Sequence, residues 1–224
     1  MAEATTGTFT QTPAALAFST LYARVQNYIY SPSDADAATI AKEGINDAIK
    51  RLNTRRWSWL RTHADITSVA GETGREYTIQ ANFKSPRHME LLDSSARIVG
   101  ALEYMDPKNF DFVFPNRTSA SISHYTVFNV FANAMLTLSG PPSSAWVASY
   151  PTMRMRYYRR APLLAADADL FVGPTEVEPF LVWHGRAVAA AHFTPEKIAF
   201  AQTQAEHWWS MIVRDDNLHD YADY

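Results

Sequence analysis

The spacing of apolar residues predicts helices at the start of the chain. Near the N-terminus apolar residues recur every three or four positions, which places them on one face of a helix. This first stripe consists of Ala14, Phe18, Leu21, Val25 and Tyr28. Thr12 can cap the helix and Pro13 suits its first position, so the helix is predicted to start there. A second stripe predicts another helix that ends near the sequence RRWSWL: Ala41, Ile45, Ala48, Ile49 and Leu52.

From about residue 65 to residue 160 the chain consists of short extended pieces separated by turn residues. The segments ADITSVA and REYTIQ flank GETG and predict one hairpin, and RHMELL and RIVGALEYM flank DSSA and predict a second. YTVFNV and AMLTLS lie on either side of a short break at Ala132 and Asn133. One helical turn is expected after Asp106 and Pro107, and GPPSSAWVASYP is expected to be a loop. The count is about seven strands, enough for a small sandwich or barrel.

Helical spacing returns near the C-terminus in two further stripes. The first contains Phe180, Trp183, Ala187, Val188 and Ala191, and the second contains Ile198, Ala201, Ala205, Trp208 and Ile212. A lone helix pair has no interior, so the two pairs are expected to pack together. The predicted fold is α+β: a four-helix bundle from residues 12–60 and 175–214, with an antiparallel β domain (small sandwich or barrel) inserted at residues 61–165. Residues 215–224, DDNLHDYADY, have no apolar face and are predicted to be an acidic tail.

Composition narrows the class of protein. The 224 residues are 47% hydrophobic and 13% aromatic, which is far beyond the composition of a disordered chain. A formal net charge of -3 argues against a protein that binds nucleic acid over its whole surface. The chain has no cysteine, so disulfides, cysteine nucleophiles and cysteine-ligated zinc are excluded. No secretory signal or membrane-spanning apolar run is recognised, and the prediction is a globular protein made inside the cell, with no membrane partner.

No common catalytic motif occurs in the sequence. Nucleophile-elbow, phosphate-loop, dinucleotide-binding and HExxH patterns are all missing. Asp167 and Asp169 lack the glycine and distal glutamate of a calcium loop, and Asp34 and Asp36 are better explained as helix caps. The protein is therefore predicted not to be an enzyme and to need no cofactor or metal. A hydrolase whose site assembles from distant residues is the third-ranked hypothesis.

The segment MRMRYYRR, which starts at Met153, concentrates four arginines and two tyrosines. As a strand it would alternate, with Met153, Met155, Tyr157 and Arg159 on one face. The opposite face would carry Arg154, Arg156, Tyr158 and Arg160. One interpretation is a solvated strand face with local ion pairs, and the other is a surface that meets phosphate or carboxylate groups. A nucleic-acid-binding strand, with bases stacked on Tyr157 or Tyr158, is the alternative function.

Taken together, several segments resemble the head-to-tail adaptor (connector) proteins of tailed bacteriophages. They are INDAIKRLNTRRWSWLRT, GETGREYTI, SHYTVFN, LTLSGPPSSA, MRMRYYRRAPLL, PFLVWHGRAVAAA and HWWSMIVRDD. In that family a tryptophan commonly closes an early helix, and a glycine-proline loop precedes a strand with tyrosines and arginines. Two helices then close the chain. The resemblance covers roughly residues 40–216, and the first thirty residues and residues 106–123 show no shared pattern.

The resemblance implies a structural virion protein at the head-tail junction, made in the host cytoplasm. Copies would form a dodecameric ring that docks under the portal protein ring, extends the DNA channel and carries the downstream tail or nozzle protein. Genomic DNA would pass through without sequence-specific binding. The C-terminal residues implied to dock on the portal, ordering as they bind, are Asp215, Asp216, Leu218, Tyr221 and Tyr224. The residues expected at a partner or subunit interface are Arg154, Arg156, Arg159 and Arg160.

Overall fold

The computed structural model describes residues 14–29, 34–116, 121–130 and 133–221. The fold is α+β, which confirms the predicted class. The described helices are α1 (Phe18–Tyr28), α2 (Ala35–Leu52), α3 (Pro107–Val113), α4 (Ser144–Ser149), α5 (Val177–Phe193) and α6 (Ile198–Tyr221). The described strands are β1 (Ala14–Ala17), β2 (Arg61–Thr67), β3 (Glu76–Ile79), β4 (Phe83–Leu92), β5 (Ile98–Tyr104), β6 (His124–Val130), β7 (Asn133–Leu138), β8 (Thr152–Arg159) and β9 (Leu170–Gly173).

The chain divides into two compact units. The helical unit combines the residues up to Trp59 with those from Ala161 onwards, and the β unit is Leu60–Arg160. The helical unit is therefore built from two distant parts of the sequence, and the β unit is continuous.

In the helical unit, α5 packs against α1, α2 and α6. The crossing of α2 and α5 is close because both helices carry glycine there: a Cβ on Gly44 would lie 2.9 Å from the Cα of Gly185. Asp34 caps α2 by accepting hydrogen bonds from the backbone N–H groups of Asp36 and Ala37, which confirms the predicted capping role of Asp34.

The predicted start of the first helix is wrong. Residues Ala14–Ala17 are extended and pair antiparallel with Leu170–Gly173, and the helix begins at Phe18. The backbone N–H of Phe18 donates to the carbonyl of Asp169 at 2.8 Å. The partner strand is about 150 residues away in sequence, so local spacing could not reveal it. The proposed caps Thr12 and Pro13 lie outside the described residues.

The side chain of Trp57 packs against the C-terminal end of α2. Its side chain is fully buried, and its indole N–H donates to the carbonyl of Leu52 at 2.6 Å. The ring makes an edge contact with Trp209 of α6, with centroids 5.5 Å apart. One aromatic side chain thus satisfies a carbonyl at the end of α2 and joins α2 to α6.

The β unit is a nearly closed barrel with strand order β2-β8-β4-β5-β6-β7-β3. The predicted number of strands and the β4–β5 hairpin are confirmed, and β6 and β7 also pair antiparallel. The expectation of a purely antiparallel domain is wrong, since β5 and β6 are parallel at Glu103↔His124 and Tyr104↔Tyr125. The prediction of a hairpin around GETG is also wrong, because β2 pairs with β8 and β3 pairs with β7.

Short helices occupy two of the connections. Asp106 caps α3 as the Asp-Pro pair predicted. The segment expected to be a loop contains α4, which Ser143 caps by accepting a hydrogen bond from the backbone N–H of Trp146. Six residues are too few for a hydrophobic period to be recognised, and the flanking prolines favoured the loop prediction.

The core of the β unit contains the apolar face of β8. Met153 and Met155 are fully buried and Tyr157 is 1% exposed, whereas Arg154, Arg156 and Tyr158 are half-buried. The predicted alternation of this strand is therefore confirmed. β8 lies between β2 and β4 in the sheet, and its outward face carries Arg154 and Arg156 of the candidate interface.

Candidate partner interfaces

Arg154 is held by a carboxylate on the neighbouring strand. Its Nε and Nη2 donate to the two oxygens of Asp65 at 2.7 and 2.9 Å, a paired geometry in which a planar guanidinium matches a carboxylate. The two residues are direct partners in the β2–β8 register. The guanidinium holds the pKa of Asp65 below its ordinary value.

Glu90 holds the second arginine of the row. Arg156 donates from Nε to Glu90 at 2.8 Å, and a ring nitrogen of His88 lies 2.9 Å from the same oxygen. The side chain of Glu90 is only 9% exposed. Burial alone would raise the pKa of Glu90, but the hydrogen bonds from His88 and Arg156 outweigh it, and the pKa is lowered overall.

Arg159 and Arg160 at the end of β8 differ from these two arginines. Arg160 is exposed and Arg159 is half-buried, with a buried Nε that has no hydrogen-bond partner among the described residues. The backbone N–H of Arg160 donates to the carbonyl of Asn82 at 2.7 Å, which fixes the position of this end. The four predicted interface arginines therefore fall into two pairs: Arg154 and Arg156 have carboxylate partners, and Arg159 and Arg160 have no ion pair within the described ranges.

Sequence reasoning missed Asp65 and Glu90 as the partners of the arginine row. Asp65 could be paired with Arg154 only once the β2–β8 register was known. Glu90 left a weak signal, since a carboxylate inside the apolar run HMELL is rarely buried without a cationic partner.

The predicted acidic tail is part of a helix as far as Tyr221. Asp216 is 5% exposed, and its carboxylate accepts hydrogen bonds from the backbone N–H and the hydroxyl of Ser58 at 2.7 and 2.6 Å. Asn217 accepts a hydrogen bond from Arg55 at 2.6 Å. The start of this segment is ordered by the helical unit itself, so the expectation that all of it orders only on docking is wrong for Asp216.

The other predicted docking residues are less constrained. Asp215 is half-exposed and lines a cavity of about 120 Å³ with Trp59, Glu176 and Ile212. Leu218 and Tyr221 belong to the helical backbone of α6, and Tyr224 lies outside the described residues. Docking on a portal by these residues remains a prediction.

No site with the features of a metal centre or membrane anchor is found in the part of the chain that the structure describes. No group of three or more His, Asp or Glu side chains there is arranged to hold a metal ion. None of the described helices has the length and apolar character needed to cross a membrane. His184 is half-buried against the ring of Phe180, 5.7 Å between centroids, and burial lowers its pKa.

Charge is distributed unequally between the two units. The β unit contains eleven Lys and Arg against eight Asp and Glu, a formal charge of +3. The helical unit contains nine against fifteen, a formal charge of -6. The small net charge of the whole chain therefore hides two units of opposite sign.

A family model described as SU10 adaptor protein matches residues 16–215, a range that takes in the whole β unit and most of the helical unit. No curated protein matches the chain.

Proposed function

The chain belongs to the SU10 adaptor protein family, and on that premise we propose that it is the head-to-tail adaptor of a tailed-phage virion. The family is one of phage structural adaptors, which is not an enzyme class, and the predicted resemblance to such adaptors is confirmed. In the proposed role, copies form a twelve-membered ring that docks under the portal, extends the DNA channel and carries the next tail or nozzle component. The observation that carries the proposal is a family match spanning both units.

The distribution of charge supports assembly into a ring. Neighbours in a ring meet through two different surfaces, so each copy needs complementary patches on separate parts of its surface. The β unit has a formal charge of +3 and the helical unit one of -6, so attraction between unlike units of neighbouring copies would favour such contacts. The proposal includes a four-helix bundle in the helical unit, supported by the packing of α5 against α1, α2 and α6.

The first test is the mass of the purified protein, alone and mixed with the portal ring of the same phage. Light scattering gives the mass, and electron microscopy of the mixture gives the symmetry. We expect a discrete layer of copies on one end of the portal. A protein that stays monomeric and leaves the portal bare at micromolar concentration contradicts the adaptor role.

We further propose that the C-terminal end of α6 and the residues after it contact the portal. The residues of this contact are Asp215, Asp216, Leu218, Tyr221 and Tyr224. Asp216 is already bonded to Ser58, so its part is to position the end of the helix. In this proposal the half-exposed Asp215 and the tyrosines further on supply the direct contacts, since aromatic residues are frequent anchors at interfaces.

Deleting residues 219–224 tests this contact without removing Asp216 or Asn217. We expect the shortened protein to keep its melting temperature within about 2 °C and to lose portal binding. The matched control is Asp36→Asn, which changes an exposed carboxylate in the first turn of α2. Portal binding by the shortened protein at full strength contradicts the proposed contact.

The outward face of β8 around Arg154 and Arg156 is proposed as a contact with a partner or neighbouring subunit. Its charges alternate in sign across the strands, since each arginine lies beside a carboxylate from β2 or β4. Such a mixed face favours specificity and register over tight binding. A variant that combines Asp65→Arg with Arg154→Asp preserves the local ion pair and exchanges the positions of its two charges. We expect this variant to fold and to form rings poorly, and normal ring formation contradicts the proposal.

A further inference from the structure

We propose that Arg87, Arg159 and Arg160, at one end of the β barrel, bind the phosphate backbone of double-stranded DNA. This surface is called the basic end. The inference rests on the proposed function only for the source of the DNA, and binding itself is measurable on the isolated protein.

Two irregularities in β4 create the basic end. The β4–β8 register shifts between Phe83 and Ser85 and again between Pro86 and His88, so Lys84 and Arg87 are the extra residues of β4 at these two shifts. A residue in a bulge is displaced from the regular pleat, and bulges often re-aim a side chain. Both extra residues are basic, and Arg87 is exposed.

The arginines of the basic end lie close together along the sheet. Arg159 pairs with Phe83, and Arg87 lies between the rows of Tyr157 and Arg156. At about 3.3 Å per residue, Arg87 and Arg160 are separated by roughly 12 Å along the strands. One strand of a DNA duplex has a phosphate about every 3.4 Å of helix axis, so this span covers roughly three or four phosphates.

These three arginines differ from the arginines of the β unit that form ion pairs. Four other arginines of the unit, Arg75, Arg97, Arg154 and Arg156, each contact a carboxylate of the same unit. Arg87, Arg159 and Arg160 have no ion pair with any described residue. Guanidinium groups that are not paired with a carboxylate match phosphate oxygens in geometry and charge.

The surroundings favour a polyanion over a single acidic side chain. The unit has a formal charge of +3, and the basic end adds Lys84 and Arg61 on adjacent strands to the three arginines. The contacts are to the backbone of the nucleic acid, and no side chain of the basic end specifies a base sequence. Such binding is weak, independent of sequence and strongly dependent on salt.

The alternative to DNA binding is a purely structural role, in which the same residues protect the unpaired edge of β4. β4 pairs with β5 only at residues 89–92, so in the described structure β8 is the only strand that pairs with residues 83–88. Bulges, proline and charged side chains are the usual devices that keep such an edge from pairing with other chains. Protection of the edge requires a large charged side chain at Arg87 and does not depend on Arg159 or Arg160.

The experiment measures binding of a fluorescein-labelled 30-base-pair duplex of mixed sequence to the full-length protein by anisotropy. Salt is varied from 50 to 200 mM. The variant is Arg87→Gln with Arg159→Gln and Arg160→Gln, and the matched control is Arg75→Gln with Arg97→Gln and Lys108→Gln, outside the proposed interface of β8. Both remove three positive charges from the β unit. A double variant, Arg87→Gln with Arg160→Gln, avoids the half-buried Arg159 if the triple variant unfolds.

We expect the triple variant to bind at least tenfold more weakly than the wild-type protein at 50 mM salt. Its log–log salt slope should be smaller by about 2 to 3, at roughly 0.9 per phosphate contact. The control variant should keep the wild-type slope within about 1. The proposal is overturned if the wild-type protein does not bind the duplex at 50 mM salt, or if both variants weaken binding equally.

Two further outcomes also count against it. Polyglutamate that displaces the duplex at equal charge concentration identifies an acidic polypeptide as the occupant instead. Aggregation of the variant with unchanged DNA binding identifies edge protection as the only role. A protein that binds DNA but ignores the portal contradicts the adaptor role alone, and one that docks on the portal without binding DNA contradicts this inference alone.

Discussion

Asn53 forms two hydrogen bonds with the backbone of a single residue, Ala161. Its Nδ2 donates to the Ala161 carbonyl at 2.9 Å, and its Oδ1 accepts from the Ala161 N–H at 2.8 Å. Two turns earlier in α2, Asn46 makes the same pair of bonds with Leu164, both at 2.9 Å. The side-chain amides of Asn46 and Asn53 bond to the backbone of the returning chain in the way that a neighbouring β-strand would. They hold the returning chain along α2 within the helical unit.

Asn53→Asp is expected to destabilise the protein by about 1–3 kcal/mol, because an oxygen replaces the amide donor and faces the Ala161 carbonyl. Chemical unfolding monitored by tryptophan fluorescence measures the change. Asn27→Asp, at an exposed position of α1, is the control and should change stability by less than about 0.5 kcal/mol. Equal effects of the two substitutions contradict a role for the amide pair.

Asp216→Ala is expected to cost about 1–3 kcal/mol, since it leaves the Ser58 N–H and hydroxyl without their acceptor in a buried place. Asp215→Ala is the matched control, because Asp215 is half-exposed and, among the described residues, its carboxylate contacts only Arg214, at 3.4 Å. Thermal melts of the two variants should differ by several degrees. A difference below 1 °C shows that the buried carboxylate contributes little to holding α6.

Glu90→Gln is expected to lower stability at neutral pH and to matter less in acid. The lowered pKa of Glu90 means that its charged form is stabilised in the folded protein, and this contribution is present above the ordinary glutamate pKa of about 4.3. It is lost as the pH falls below that value through the folded pKa. Unfolding by urea between pH 3 and pH 7 should show the gap between wild-type and variant proteins closing in acid. A gap between the wild-type and Glu90→Gln proteins that stays constant from pH 3 to pH 7 contradicts the argument.

Gly44→Leu is expected to destabilise the helical unit strongly, by about 1–3 kcal/mol or more, because the new side chain meets the backbone of Gly185 where the two helices cross. Glu43→Leu introduces the same side chain on the exposed side of α2. Differential scanning calorimetry should show a lower melting temperature for Gly44→Leu only. A Gly44→Leu protein that melts like the Glu43→Leu protein contradicts close packing of α2 and α5.

Much of the helical unit follows from local sequence. The stripe from Ala41 to Leu52 and the cap at Asp34 predict α2, because both signals depend on residues at most four positions apart. For α5 the prediction is less good: Trp183 and Val188 of the predicted stripe are only half-buried, and Gly185 and Ala189 are buried instead. Apolar residues lie on nearly every side of α5, since it contacts three other helices, and spacing alone does not indicate one face.

In the β unit, local sequence predicted the number of strands and the inward face of β8, because alternation is a property of single strands. Pairing was decided by tertiary structure: β2 pairs with β8, about ninety residues away, and that register brings Asp65 to Arg154. The two bulges of β4 likewise exist only in relation to β8. Which arginines are neutralised and which remain available to a partner is therefore a property of strand register. Residues that lie far apart in sequence become neighbours only when their strands pair, so the sequence pattern alone does not show which charged side chains meet.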